Sequence, residues 1–277
     1  MMRRFVLKII LKIFLFSALA SLVFFLGDGF QLNAGETAPQ EVKQARMYRD
    51  IHPLITESDL YCSFFIFEGK KHELETRIVE AESAGEKVLL RENDIFYINR
   101  GSESGLEPGQ VFLILELGPK TKSPFSKRKF GILTFRRGKA EIVAVASNRS
   151  SARVVKACDQ VKVGDFLVPF EEKTGLLGKD LGYEDFSFEG EGVGGVVIYL
   201  QNDSNQIATG QWAVIDIGEE DGIQFGQQLI AYEISREAVS PKILGSLIVI
   251  DAQAKSSTVK VLSCNDPLRV GTRVRTR

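Results

Sequence analysis

A glycine-spaced turn that occurs twice constrains the fold of this 277-residue chain more than any other feature. Asn99-Arg100-Gly101-Ser102-Glu103-Ser104-Gly105-Leu106-Glu107-Pro108-Gly109-Gln110 matches Asp216-Ile217-Gly218-Glu219-Glu220-Asp221-Gly222-Ile223-Gln224-Phe225-Gly226-Gln227. The shared core is G-x-x-x-G-[LI]-x-x-G-Q at an offset of 117. Each copy lies between two apolar β-like runs, Asp94–Asn99 and Val111–Leu115 in the first, Trp212–Ile217 and Leu229–Tyr232 in the second. Downstream the match resumes at an offset of 107, with Gly138 on Gly245, Ser150 on Ser257, Val154 on Val261 and Val163-Gly164 on Val270-Gly271. The ten-residue difference between the offsets falls inside one loop, so the first copy carries an insertion there. Two constant offsets imply a tandem duplication with units near 75–170 and 193–276.

Glycines four apart between β runs let the chain turn with positive φ and bring strand ends together. Gly101, Gly105 and Gly109, and Gly218, Gly222 and Gly226 in the second copy, are read as structural turn glycines. Leu106 and Ile223 plug each turn into a core. Ala140–Val145 with Ala152–Val155, and Leu247–Ile250 with Val259–Leu262, are separated by short polar segments and read as hairpins. Phe166–Val168 and Thr272–Val274 then close each unit. About six short strands per unit, without helical periodicity, predict an all-β chain of two tandem small β-barrel-like units. The expected layout is a signal peptide at 1–34, a polar lead-in at 35–59, a first unit at 60–170 opened by a buried strand Leu60–Phe67, a Gly-rich linker at 171–192 and a second unit at 193–277.

At the N-terminus, Arg3, Arg4, Lys8 and Lys12 precede an uncharged run from Ile13 to Gly27, and Leu32-Asn33-Ala34 offers a small residue for cleavage. This is the layout of a bacterial signal peptide, and the apolar run is short for a membrane span. The competing reading keeps the segment as an anchor, with Phe5–Leu26 spanning and Lys8 snorkelling to the interface. Export predicts a periplasmic or envelope location, with transient membrane contact through the signal segment. Without residues 1–34 the chain loses four basic residues and Asp28, leaving 31 Lys and Arg against 35 Asp and Glu, a net charge of −4.

The whole chain is 44% hydrophobic and 26% charged with a net charge of −1, which describes a globular protein and excludes a disordered or polytopic one. The absence of a basic surplus argues against nucleic acid as a partner. Cys62, Cys158 and Cys264 are too far apart for a zinc or C-x-x-C motif. In an oxidising compartment an odd count leaves one thiol over. A Cys62–Cys158 disulfide is the expected pairing, since both belong to the first unit; three buried free cysteines are the alternative. At the 107-residue offset Cys158 falls on Asn265 and Cys264 on Ala157, so no repeated cysteine role follows.

Little in the sequence points to catalysis. Gly190-Glu191-Gly192-Val193-Gly194-Gly195 precedes a strand run, Val196–Leu200, instead of opening a helix, so no cofactor site is assigned. His52 and His72 have no partner Ser or Cys motif, and Trp212 reads as a core residue. The sharpest local feature is the basic loop at 120–129, KTKSPFSKRK, where the insertion falls. Lys120, Lys122, Lys127, Arg128 and Lys129 surround Pro124 and Phe125. One reading is contact with an anionic wall polymer, lipid head groups or an acidic protein; the other is a solvated hairpin tip.

The residues Asn99–Phe112, Gly138–Val143 and Val161–Pro169, with weaker echoes in the second unit, resemble the C-terminal part of exported LysM-containing envelope proteins of Gram-negative bacteria. More distantly they look like the C-terminal domain of the flagellar assembly protein FlgT. The resemblance extends from about Asp59 to the C-terminus and rests on turn motifs, so it implies a fold rather than an activity. No LysM module fits between the signal and Asp59, and direct LysM binding of peptidoglycan is not carried over. The combined expectation is a non-enzymatic envelope binding or scaffold protein without cofactor, metal or catalytic residue, whose partner is an envelope protein or peptidoglycan. The runners-up are a peptidoglycan-binding module and a wall hydrolase using scattered carboxylates.

Overall fold

The computed structural model describes residues 51–82, 89–234 and 240–277. The expected signal peptide and the lead-in as far as residue 50 lie outside the described residues. In chain order the strands are β1 (His52–Ile55), β2 (Phe64–Phe67), β3 (Ile78–Ala81), β4 (Leu89–Leu90), β5 (Ile95–Ile98), β6 (Val111–Lys122), β7 (Lys129–Val145), β8 (Ser150–Ala157) and β9 (Val161–Lys162). They continue as β10 (Phe166–Pro169), β11 (Leu176–Gly178), β12 (Gly194–Leu200), β13 (Trp212–Ile215), β14 (Gln228–Glu233), β15 (Lys242–Ala252), β16 (Ser257–Cys264) and β17 (Arg273–Thr276). A five-residue helix, α1 (Glu57–Tyr61), separates β1 from β2. The fold is all-β.

The C-terminal strands close into a barrel in the order β12-β13-β16-β15-β14-β17. The N-terminal sheet follows the path β10-β6-β7-β8-β5-β3, with β2 added on β7. Its outer strands do not zip together as a ladder. They meet at one bridge, Arg77 with Phe166, beside hydrogen bonds from the Ile78 N–H to the Asp165 carbonyl (2.8 Å) and from the Leu167 N–H to the Thr76 carbonyl (2.9 Å).

Both copies of the glycine motif build the same turn. The Ser102 and Glu219 N–H groups donate to the Ala146 and Gln253 carbonyls, each at 2.9 Å. Gly105 and Gly222 then adopt the left-handed conformation, with φ of 77° and 84°. Gly101 and Gly218 have a different reason to be glycine. Their φ values of −140° and −144° are extended, but a Cβ would stand 2.0 and 2.2 Å from the Ala146 and Gln253 carbonyl oxygens. They are needed for close approach and not for positive φ, which corrects the expectation for these two positions.

Leu106 and Ile223 are buried beneath the turns. Inside the barrel, Val197, Ile215, Leu229, Leu247, Val259 and Val274 alternate inward along six different strands, as the two-residue period of a strand requires. The outer face of the barrel is covered too. Ile248 and Ile250 of β15 pack against Leu54, Ile55, Leu60 and Tyr61, and Ile198 and Val214 pack against Phe64, Ile66, Phe130 and Leu133. The two sheets are thereby joined through an apolar interface within one compact body.

Two expectations are corrected. Leu60–Phe67 is not one strand: α1 ends at Tyr61 and β2 begins at Phe64, because Thr56 and Asp59 form a reciprocal capping box that starts a helix. The insertion is not a loop but lengthens the β6–β7 hairpin to 12 and 17 residues, and that extension carries Phe130 and Leu133 into the interface. Residues 171–192, read as a Gly-rich linker with embedded aromatic contacts, hold to β1 and to strands of the barrel. β11 pairs with β1, Asp180 accepts hydrogen bonds from Ser246 (3.0 Å) and Ser263 (2.7 Å), and Phe188 packs edge-on against Tyr232.

Candidate functional site

The end of the β6–β7 hairpin holds the basic residues of the insertion. The pairing register puts Lys122 directly opposite Lys129, with Lys120 opposite Ile132, while Lys127 lies in the turn. Like charges facing each other across a hairpin are destabilising. The turn itself is well braced. The Ser123 N–H donates to the Arg128 carbonyl at 2.9 Å, and the Ser123 hydroxyl accepts from the Phe125 N–H at 3.1 Å. Ser123 is buried, whereas Lys120, Lys122, Lys127 and Lys129 are exposed.

Arg128 does not belong with the lysines. Its Nη1 donates to the Asp216 carbonyl of the barrel at 3.0 Å, and its guanidinium stands 5.1 Å from the centre of the Phe130 ring. Phe125 is 59% exposed, yet its ring edge lies against Gly271, where a side chain would collide with it. Arg128 and Phe125 therefore hold the hairpin onto the barrel and leave four lysines outward. Among the described residues no salt bridge involves any of the four. Arg269 and Arg273 are exposed and flank Gly271, the residue that Phe125 touches. Sequence reasoning missed this contact because it depends on how the hairpin docks.

The remaining charged groups serve the frame. Arg136 of β7 and Asp251 of β15 form a buried ion pair across the interface, with Arg136 also donating to the Ser63 hydroxyl at 3.1 Å. Asp59 accepts from Lys260 Nζ at 2.7 Å and from the Trp212 indole N–H at 2.8 Å. Burial pushes the Asp59 carboxyl up, but hydrogen bonds from Lys260, Thr56 and Trp212 outweigh it and hold the group below its ordinary value. Trp212 thus links the barrel to α1. Asp165 is the opposite case: burial, aided by the nearby Glu116 charge, raises it to about 6 against the opposing Lys162 and Arg137.

Cys62 and Cys158 are joined by a disulfide with a Cα–Cα distance of 5.3 Å, tying the end of α1 to the end of β8. Cys264 is a free thiol, 3.6 Å from the Thr209 hydroxyl. It faces Gly245 across its ladder as Ala157 faces Gly138. His52 is exposed on β1, His72 is exposed in the turn at 71–73, and Gly194-Gly195 begins β12. Among the described residues no group of His, Cys, Asp and Glu side chains is arranged to hold a metal ion. No family model and no curated protein matches the chain.

Proposed function

We propose that this is an exported, non-enzymatic binding or scaffold protein of the bacterial envelope, and that the lysine-rich end of the β6–β7 hairpin is its contact with an anionic envelope polymer. The observation that carries this reading is the Lys122–Lys129 pair. It places two like charges opposite each other, without a carboxylate partner, on a turn that the protein holds firmly. A surface that merely needed solubility would gain from mixed signs, whereas a fixed cluster of one sign attracts a polyanion.

The n-region and apolar run at 3–27, the oxidised Cys62–Cys158 pair and the resemblance to exported LysM-containing proteins support the envelope location. The shared strand path of the two sheets, with the same turn in each, supports an origin by tandem duplication of one barrel-like unit. The test is co-sedimentation of the exported protein with purified sacculi. Wild-type protein is expected in the pellet, and a variant with Lys120, Lys122, Lys127 and Lys129 all changed to Ala in the supernatant. Equal recovery of both proteins in the pellet overturns the assignment.

A further inference from the structure

Among the described residues only two aromatic side chains are exposed, Phe125 and Phe225. They stand in opposite electrostatic settings. Phe225 follows Glu219, Glu220 and Asp221 in the second glycine turn, whereas Phe125 lies at the tip of the β6–β7 hairpin between Lys122 and Lys127. One exposed apolar residue is ordinary by itself. What sets Phe125 apart is how it is held.

Pro124 precedes it with a fixed φ, and the Phe125 N–H donates to the Ser123 hydroxyl at 3.1 Å. The distal end of the ring is set against the backbone of Gly271. A Cβ placed on that glycine would stand 2.8 Å from Cζ, 3.4 Å from Cε1 and 3.6 Å from Cε2. The ring therefore bridges hairpin and barrel end-on, and the 59% of the residue that stays accessible lies mainly on its faces. Among the described residues no other ring stacks on it and no cation lies over it.

We infer that Phe125 is a stacking platform for a sugar ring, so that the polymer met by the hairpin is a glycan whose rings carry carboxylates; this rests on the lysine hairpin being the polymer contact. The face of a phenyl ring is the negative side of its quadrupole and meets the weakly positive C–H groups on the face of a pyranose. Lys122, Lys127 and Lys129 meet carboxylates hung on the same chain. Compact ammonium groups on flexible stems follow charges of variable spacing, where a guanidinium fork would demand a fixed geometry. A lipid surface is the weaker fit. Anchoring in the acyl boundary needs the apolar end of the side chain to be free, and Gly271 occupies the end of Phe125. Nucleic acid, another polyanion with flat rings, calls for a basic surplus that a chain of net charge −1 lacks.

The test measures binding isotherms of the exported protein on purified sacculi over a series of salt concentrations. Phe125→Ala removes the ring, and Phe125→Leu keeps an apolar contact for Gly271 without an aromatic face. Each is expected to bind about fivefold more weakly than wild type, with a salt dependence parallel to that of wild type because the lysines are intact. Phe125→Leu melting as wild type does separates loss of the face from loosening of the hairpin. If both variants bind as wild type does while the four-lysine variant fails to bind, the anion contact stands and the stacking inference falls. Failure of wild type to bind, or equal binding by the four-lysine variant, removes the reading of the hairpin and the inference with it. Tighter binding of wild type to vesicles of equimolar phosphatidylglycerol and phosphatidylethanolamine than to sacculi, lost in Phe125→Ala, assigns the ring to a lipid surface and overturns the inference.

Discussion

The Arg136 guanidinium donates to the Asp251 carboxylate across the interface between the two sheets, and the two side chains are only 7% and 6% exposed. Removing one partner leaves the other charge buried and unpaired, which costs about 3–5 kcal/mol. Asp251→Ala is therefore expected to lower the urea midpoint sharply. The double change Arg136→Met with Asp251→Leu should recover most of the loss, because it removes both charges together. Chemical denaturation of the three proteins checks this.

The Cys62–Cys158 bridge closes a loop with a sequence separation of 96 residues. A loop of that size limits the unfolded chain by about 4–5 kcal/mol in the entropic account of cross-links. Thermal melting with and without reductant is expected to show a large drop on reduction. Cys264→Ser should leave both curves in place.

Asp165 is a buried carboxyl whose native pKa stands near 6, above its ordinary value of 3.8. The folded protein thus holds this proton more tightly than the unfolded chain does. Above pH 6 the buried charge opposes folding; the penalty is relieved as pH falls from 6 towards 4. Asp165→Asn keeps an acceptor for the Lys162 N–H and is expected to stabilise the protein at pH 8 by on the order of 2–3 kcal/mol. Near pH 4 the gain should vanish. Denaturation midpoints at the two pH values decide it.

Gly101→Ala and Gly105→Ala probe the same turn by different routes. At Gly101 the new Cβ meets the Ala146 carbonyl, and the chain must shift; at Gly105 there is open space but a φ of 77°. The second change should cost about 1–2 kcal/mol, the ordinary penalty for the left-handed region, and the first should cost more. Differential scanning calorimetry of both variants orders them.

The turns and hairpins were legible in the sequence because their constraints are local. A glycine that must be left-handed or must touch a carbonyl leaves a mark at its own position. The helix α1 was hidden behind the apolar run Leu60–Phe67, although Thr56 and Asp59 carried the three-residue spacing of a capping box. The interface was hidden for another reason. Phe130 and Leu133 follow a charged stretch that reads as a loop, and their partners Ile198 and Val214 are distant in sequence. The candidate site was half legible: its lysines form a visible run, but the contact of Arg128 with Asp216, 88 residues away, exists only once the sheets have docked.

The most direct test of the lysine hairpin is a single change with two readouts, Lys129→Glu. Opposite Lys122 it replaces a like-charge pair with an opposite-charge one, worth about 0.2–1 kcal/mol of stability. The account predicts a protein that melts slightly higher yet sediments with sacculi several-fold less well than wild type, with the wild-type binding itself weakening as salt rises. A variant that gains stability and binds sacculi as wild type does would contradict it.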